Sequence, residues 1–374
     1  MNIPMLDLKG QYKKIKTGID EAIHNVLDNT CFINGPEVHK FESNLSAYLD
    51  SKYVIACANG TDALQIAMMA LNLKPGDEVI VPSFTYAATA EVVGLLGLIP
   101  VMVDVDEYTF NIRVEDIEKA ISPKTKAIVP VHLFGQSADM EGITQIAKKH
   151  NLFVIEDNAQ AIGAKYRFKD GTVKHLGTIG DIGCTSFFPT KNLGCYGDGG
   201  AIFTQNSEIA ERIRMVTDHG QRVKYYHDII GCNSRLDTIQ AAVLNIKLTH
   251  LDEYSANRYE AAQRYKEMLG GIKEILLPVE SPFSTHVYHQ FTIQLSEKRE
   301  DLKSFLAERG ISSMVYYPMS LNNQKAFSSI SRIPVSLSNS ERLAASVLSL
   351  PMHTELNYEV QRVICDNIKL FYNK

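Results

Sequence analysis

Tyr53-Val-Ile-Ala-Cys57-Ala-Asn-Gly60-Thr-Asp-Ala-Leu-Gln-Ile-Ala67-Met-Met-Ala-Leu71 is a short apolar run, a turn and an amphipathic segment in immediate succession. It reads as a strand followed by a helix. The same unit recurs outward from it, from about Ser51 to Ile202: Glu78–Val81 then Ala87–Leu96, Pro100–Val103 then Val114–Ala120, Ala127–Val131 then Met140–Lys149, and Phe153–Ile155. Turn-forming clusters such as Lys74-Pro75-Gly76-Asp77 and Ser122-Pro123-Lys124-Thr125 separate the units. Short strands alternating with helices predict crossover connections and a mostly parallel sheet covered on both faces, an α/β fold.

Beyond Arg235 the pattern changes. Leu236–Met268 reads as one long helical run with charges between Ile239, Ala242, Val243, Ile246, Leu248 and Leu251. A strand (Tyr288–Leu295), a helix (Lys298–Arg309), another strand (Met314–Tyr317) and a closing helix near Tyr358–Phe371 follow. These predict a small α+β domain beside the large one, with a cleft between them, where ligand sites concentrate. The expected division is an N-terminal helical segment (1–30), a large domain (31–250) and a small C-terminal domain (251–374).

The composition fits a soluble globular protein: 374 residues, 45% hydrophobic and 22% charged, with 38 Lys+Arg against 43 Asp+Glu and a formal net charge of −5. Nucleic-acid binding usually shows as a basic excess, which is missing here. The start, Met1 to Lys9, carries charge where a signal peptide needs a continuous apolar core, so a cytoplasmic location is expected. The longest uncharged apolar stretch, Val92–Val103, is interrupted by Pro100 and falls short of the roughly 20 residues that span a bilayer. Six cysteines without a C-x-x-C pair suggest reduced, buried thiols, with no metal site and no disulfide framework.

Between Asp181 and Asp198, in Gly180-Asp-Ile-Gly-Cys-Thr-Ser-Phe-Phe-Pro-Thr-Lys-Asn-Leu-Gly-Cys-Tyr-Gly-Asp-Gly-Gly200, Lys191 is the only charged side chain. Two readings are open: a solvated loop lysine, or an amine whose pKa is lowered by aromatic and small neighbours and which forms a Schiff base. In Phe153-Val-Ile-Glu-Asp157-Asn-Ala-Gln160 an apolar strand delivers a carboxylate at its end. Asp157 either forms a turn or pairs with a protonated ring nitrogen. Together, a lysine for the aldehyde and an aspartate for the pyridinium nitrogen are what a pyridoxal 5'-phosphate enzyme needs. Gly60 and Thr61 open a helix after a strand, suited either to a plain N-cap by Thr61 or Asp62 or to seating a phosphate. Ser186 could add a hydroxyl, and Tyr86 is either a ring for a cofactor face or core filler.

These windows resemble the DegT/StrS-type nucleotide-sugar aminotransferases, fold-type I enzymes of the aspartate-aminotransferase-like class. The resemblance runs nearly end to end: Gly35-Pro-Glu37, Asn59-Gly-Thr-Asp-Ala-Leu64, Val103-Asp-Val-Asp106, Pro130-Val-His-Leu-Phe-Gly135, Ile155-Glu-Asp157, Phe187-Phe-Pro-Thr-Lys191-Asn-Leu-Gly194, Gly197-Asp-Gly-Gly200, His219-Gly220, Asn233-Ser-Arg-Leu236 and Tyr316-Tyr-Pro318. It implies a pyridoxal-phosphate-binding large domain and a smaller C-terminal domain. Lys191 would be the Schiff-base lysine and proton shuttle, and Asp157 the partner of the ring nitrogen. Gln160 would bond the phenolic oxygen, Tyr86 stack on the ring, and Gly60, Thr61 and Ser186 hold the phosphate. Asn233 would reach the phosphate of a neighbouring subunit, making the unit a homodimer with shared active sites, and Arg235 would contact substrate across that interface. Tyr317 stands where the family has a substrate-facing tyrosine; Tyr316 departs from the histidine of many relatives. Lys191 itself separates transamination from the related dehydratases, which carry histidine there.

The resemblance further implies glutamate as amino donor and a nucleotide-linked keto-sugar as acceptor. The motifs look most like those of enzymes acting at C-3 of UDP-2-acetamido-2-deoxy-3-oxo-glucuronate in O-antigen and other cell-surface polysaccharide synthesis, where Arg235 would serve the sugar carboxylate. A dTDP-3-oxo-6-deoxyhexose aminotransferase is the rival, with C-4 aminotransferases behind it. Of other classes, a dinucleotide-dependent oxidoreductase lacks its G-x-G-x-x-G after the first strand. A non-catalytic regulator is expected to have lost Lys191 or Asp157.

Overall fold

The computed structural model describes residues 2–372. Helices α1 (Leu8–Asn29) and α2 (Pro36–Leu49) lead into β1 (Tyr53–Cys57). Helix and strand then alternate through α3 (Gly60–Ala70), β2 (Glu78–Pro82), α4 (Ala88–Leu95), β3 (Ile99–Val103), α5 (Val114–Ala120), β4 (Thr125–Ile128), α6 (Met140–His150) and β5 (Phe153–Asp157). A small hairpin, β6 (Lys165–Arg167) and β7 (Val173–His175), precedes β8 (Ile182–Ser186) and β9 (Gly200–Thr204). After α7 (Ser207–Thr217) come a second hairpin, β10 (Gln221–Val223) and β11 (Tyr226–His227), then α8 (Thr238–Leu248) and α9 (Leu251–Leu269).

Seven strands form one sheet in the order β1-β9-β8-β5-β4-β2-β3. Only β9 opposes its neighbours, pairing antiparallel with β1 and with β8, while the other pairings are parallel. Six strands therefore end at the same edge. Strands β2 and β9 are buried at every position, so they read as continuous apolar runs rather than alternating ones. The carboxyl edge of such a sheet is where polar strand ends and loops converge on ligands.

The chain continues through β12 (Ile275–Leu276), β13 (Phe291–Leu295), α10 (Arg299–Glu308), α11 (Ser338–Ser346), β14 (Val347–Leu350) and α12 (Tyr358–Tyr372). The three strands form an antiparallel sheet. Its core combines Tyr265, Phe291, Leu302, Leu306, Ile364 and Ile368, and Ile3 from the start of the chain joins it. Each fully buried side chain of this size contributes about 1.5–3 kcal/mol of transfer free energy. A further cluster, Phe84, Phe110, Val131 and Phe134 with Leu343, Val347, Tyr316 and Tyr317, joins the carboxyl edge of the large sheet to the C-terminal part.

The structure corrects four expectations. Leu236–Met268 is two helices, because Thr249 and His250 close α8 with tight i→i+3 bonds (Thr249 N to Ile246 O, 3.3 Å; His250 N to Lys247 O, 3.0 Å), and both are weak helix formers. The strand expected from Tyr288 begins at Phe291, since Tyr288 sits at φ 43°, outside the strand region. Met314–Tyr317 makes a single bridge, Met314 to Ser349, and no strand. Among the cysteines, all free, Cys31 is exposed and Cys232 half-buried. Among the described residues no helix is long and apolar enough to cross a membrane.

Candidate active site

A cavity of about 480 Å³ opens at the carboxyl edge of the large sheet, between it and the C-terminal part. Nine of the residues singled out from the sequence line it: Gly60, Thr61, Tyr86, Asp157, Gln160, Ser186, Lys191, Tyr316 and Tyr317. They come from the start of α3 after β1, the segment after β2, the ends of β5 and β8 and the segments following them, and, for Tyr316 and Tyr317, the segment between α10 and α11. Residues remote in sequence meet because parallel strands end together.

The seat for an anion is built where α3 starts. Asn59 is the N-cap, its Oδ1 accepting from Asp62 N at 2.8 Å, so neither Thr61 nor Asp62 caps the helix. The N–H groups of Gly60 and Thr61 belong to the first turn, which has no intrahelical acceptors, and lie at the positive end of the helix dipole. A Cβ on Gly60 would fall 2.6 Å from Ser186 Cβ, so only glycine lets the two segments approach this closely. Ser186 Oγ accepts from Phe188 N at 3.3 Å and keeps its own proton to donate.

Asp157 is buried at the end of β5. Thr89 Oγ1 donates to its Oδ2 (2.8 Å) and Ala159 N to its Oδ1 (3.2 Å), fixing the carboxylate plane. Burial pushes its pKa up, and the Thr89 hydrogen bond is the largest opposing influence. The neighbouring Glu156 holds the strand end from behind, accepting from His132 Nε2 (2.9 Å) and the backbone N–H groups of Gly177, Ile179 and Gly180 (2.8, 2.6 and 2.6 Å). A buried carboxylate so fully bonded is a rigid anchor rather than a reactive group.

Lys191 lies on the cavity wall. Burial pulls its pKa down to about 8, with the Asp157 carboxylate pulling the other way. Its amine is therefore poised between proton donor and nucleophile near neutral pH. The backbone bonds Lys191 N to Phe188 O (2.8 Å) and Cys195 N to Phe187 O (2.8 Å) close the loop that carries it.

Gln160 is oriented unambiguously. Phe134 N–H donates to its Oε1 (2.8 Å), which turns the amide NH₂ inward, where it donates to Tyr317 Oη (3.1 Å) and has a second proton left. Tyr86 is 59% exposed and its ring centroid stands 6.2 Å from that of Tyr317, which excludes the reading as core filler. Tyr317 is half-buried, and burial raises its pKa, so the hydroxyl stays protonated.

Asn233 and Arg235 are not among the residues that line this cavity in the single chain. Asn233 is exposed and bridges Asp218, and Arg235 is half-buried. Ser234 between them is fastened to the anion seat: Ala58 N donates to its Oγ (3.1 Å), and the Oγ donates to Asp62 Oδ2 (2.6 Å). Among the polar groups at or behind the wall that the sequence reading did not single out are Thr89, Asp198, His289 and Gln290. Thr89 carries no local signal, since its bond to Asp157 spans 68 positions. His289 and Gln290 fall in the expected strand Tyr288–Leu295 and Asp198 in the quoted Gly197-Asp-Gly-Gly200, and neither segment marks them as site residues.

The seat, the ring-side carboxylate and the amine fit one phosphate-bearing aromatic aldehyde. The N–H groups and Ser186 suit the phosphate, Asp157 a ring nitrogen, Gln160 a phenolate oxygen and Lys191 the carbonyl carbon.

Comparison with known proteins agrees. The DegT/DnrJ/EryC1/StrS aminotransferase family model matches residues 13–369. A "pleiotropic regulatory protein" of Geobacillus stearothermophilus is 46% identical over 100% of this chain and 99% of its own length. The UDP-2-acetamido-2-deoxy-3-oxo-D-glucuronate aminotransferase of Pseudomonas aeruginosa is 45% identical over 97% of this chain and 98% of its own. The dTDP-3-amino-3,4,6-trideoxy-alpha-D-glucose transaminase of Streptomyces venezuelae is 42% identical over 95% and 92%. Among solved structures, S. venezuelae DesV in complex with a ketimine intermediate superposes with a TM-score of 0.95 at 40% identity, over 100% of this chain and 99% of that one.

Proposed function

The chain belongs to the DegT/DnrJ/EryC1/StrS aminotransferase family, and on that premise we propose that it transfers the amino group of glutamate to C-3 of UDP-2-acetamido-2-deoxy-3-oxo-glucuronate, for cell-surface polysaccharide such as O-antigen. That it is an aminotransferase of nucleotide-linked keto-sugars, using pyridoxal 5'-phosphate, follows from the family and its relatives. One observation carries the assignment of roles: Lys191, with its pKa near 8, shares one cavity with Asp157 and with an anion seat at the start of α3. The naming of one 46% identical relative as a regulator does not alter this, because both Lys191 and Asp157 are present here.

Bound in this cavity, pyridoxal phosphate supplies an electrophilic carbonyl carbon and an electron-poor ring that takes up the electron pair of a broken C–H bond. The chain's own groups do the rest. Gly60 N–H, Thr61 and Ser186 would hold the phosphate, and Asn233 would reach the seat of a second subunit. Asp157, its carboxylate fixed by Thr89, would keep the proton on the ring nitrogen. Gln160 would donate its free N–H to the phenolic oxygen, and Tyr86 would lie against the ring. The Lys191 Nζ, with its pKa near 8, would be the group that takes up the proton removed from the donor. Tyr316, Tyr317 and Arg235 contact the sugar.

At the sugar level, support comes from the 45% identity to the oxo-glucuronate enzyme over nearly both full lengths, and from Arg235, whose planar guanidinium suits a carboxylate. The 42% identity to the dTDP-sugar transaminase favours the rival. A homodimer is supported by the solvent-facing hairpin near Asn233 and the segment after it, where Val223 (60%), Tyr225 (78%), Tyr226 (71%) and, past β11, Ile230 (85%) stand exposed.

The deciding experiment offers the cofactor-loaded protein glutamate with each sugar nucleotide in parallel. Turnover of the oxo-glucuronate is expected, with an Arg235→Met change raising its KM by about 10–100-fold. Turnover of the dTDP-6-deoxy sugar alone would overturn the assignment.

A further inference from the structure

Gln160 is held at both ends of its amide before any ligand arrives. Its Oε1 accepts from Phe134 N at 2.8 Å, and its Nε2 donates to Tyr317 Oη at 3.1 Å. Phe134 itself stands at φ 59° and ψ 1°, the left-handed region that costs energy for a residue with a Cβ. In that conformation its N–H meets the amide. A backbone N–H only donates, so the end of the amide it meets is the oxygen, and the NH₂ group turns toward the tyrosine. That group carries two protons. One goes to Tyr317 Oη, and the other is left for the cavity that Gln160 lines.

Tyr317 is as firmly placed as the amide it receives. Its ring lies against three others: Phe84 (centroids 6.0 Å apart, 66° between planes), Tyr86 (6.2 Å, 40°) and Tyr316 (6.0 Å, 63°). Edge-on and tilted contacts of this kind fix the orientation of a ring, and with it the position of its oxygen. The titratable groups that face it are Asp157 from the end of β5, Tyr86 from the segment after β2, and Tyr316. Burial keeps the phenol protonated, and all three groups add to that. The C-terminal part of the chain thus brings a neutral, fixed acceptor to an amide of the large domain 157 positions away.

We infer that Tyr317 is a positioning residue for the cofactor: by occupying one N–H of Gln160 it fixes the plane of the amide and leaves the other N–H directed at the phenolic oxygen of pyridoxal phosphate. This rests on the role of Gln160 proposed above, and it gives Tyr317 a task that precedes any contact with the sugar. An amide free to turn about its last side-chain bond presents its N–H over a broad range of angles, whereas one bonded at both ends presents it at one. A donor in place at the phenolic oxygen draws off negative charge that otherwise holds the proton of the coloured cofactor, so the pH at which the visible band titrates falls. Loss of alignment raises it.

The test reads the absorption of the cofactor-loaded protein against pH, with neither glutamate nor sugar present, for wild type, Tyr317→Phe, Gln160→Ala and the double variant. Tyr317→Phe keeps the ring and removes the acceptor. It should raise the midpoint of the visible band by about 0.5–1 pH unit, with a melting curve close to that of wild type. Gln160→Ala should raise it at least as far, and the double variant should match Gln160→Ala, since the tyrosine acts through the glutamine. A midpoint unmoved or lowered by either single variant, or shifts that add in the double variant, overturns the inference. A tyrosine that merely touches the sugar leaves the midpoint where it was, because no sugar is present. A crystal structure of the loaded wild type needs no variant. Gln160 Nε2 within about 3.2 Å of both Tyr317 Oη and the phenolic oxygen supports the inference, and a water between either pair overturns it. If the wild type never takes up the cofactor, the proposed function and this inference fall together; if it does and Tyr317→Phe matches it, this inference falls alone.

Discussion

Burial lowers the pKa of two lysines in this molecule, with opposite consequences. Burial pulls both Lys191 and Lys247 down to about 8. Lys247, on α8, is 1% exposed; its Nζ donates to Gly194 O at 2.7 Å and lies 4.3 Å from the centre of the Tyr196 ring. Its charge is spent on a carbonyl and an aromatic face, and it does not line the active-site cavity. Lys191 faces a cavity, has Asp157 in its field, and stands beside an anion seat. Desolvation alone makes a weakly basic lysine. Chemistry requires in addition an open approach and neighbours that bind the rest of the reacting molecule.

The largest expected effect comes from exchanging their fates. Lys191→Ala should abolish covalent uptake of pyridoxal phosphate and lower transamination by at least about 10⁴-fold, while leaving the melting curve near that of wild type. Asp157→Asn should cost about 10²–10³-fold in rate, read by steady-state kinetics, because the ring nitrogen loses its charged partner. Thr89→Val frees only one carboxylate oxygen and should cost about tenfold.

The pH dependence sharpens the contrast. Capture of pyridoxal phosphate needs the neutral amine of Lys191, so its rate should rise with pH and level off above about 8, as followed by absorbance. Lys247 should show its titration only in stability. Its folded pKa lies below the unfolded value, so between about 8 and 10.5 the unfolded chain binds the extra proton, and stability rises with pH across that window. Lys247→Met should remove that rise, worth on the order of 2–3 kcal/mol, with activity kept within about threefold; urea titrations at the two ends of the window measure it.

The same pair shows what the sequence carries and what it withholds. Lys191 is legible because it is alone between Asp181 and Asp198 among aromatic and small residues, and Asp157 because it ends an apolar run. The strand–helix alternation from Tyr53 to Asp157 is legible because each strand is buried and each turn is marked. Lys247 reads as an exposed helix charge, since helical periodicity does not tell that α8 is covered where Lys247 sits. The support of Asp157 by Thr89, and of His289 by Asn192 over 97 positions, depends on tertiary closeness that no local window contains. The break between α8 and α9 is likewise a matter of two residues with ordinary side chains.

The central claim is that, of two lysines whose pKa burial lowers, Lys191 alone carries the cofactor. Loading the protein with pyridoxal phosphate, reducing it with borohydride and mapping the modified peptides by mass spectrometry tests this directly. The label is predicted on Lys191, within Phe187-Phe-Pro-Thr-Lys191-Asn-Leu-Gly194. A label on Lys247, or a protein that acquires none, would contradict it.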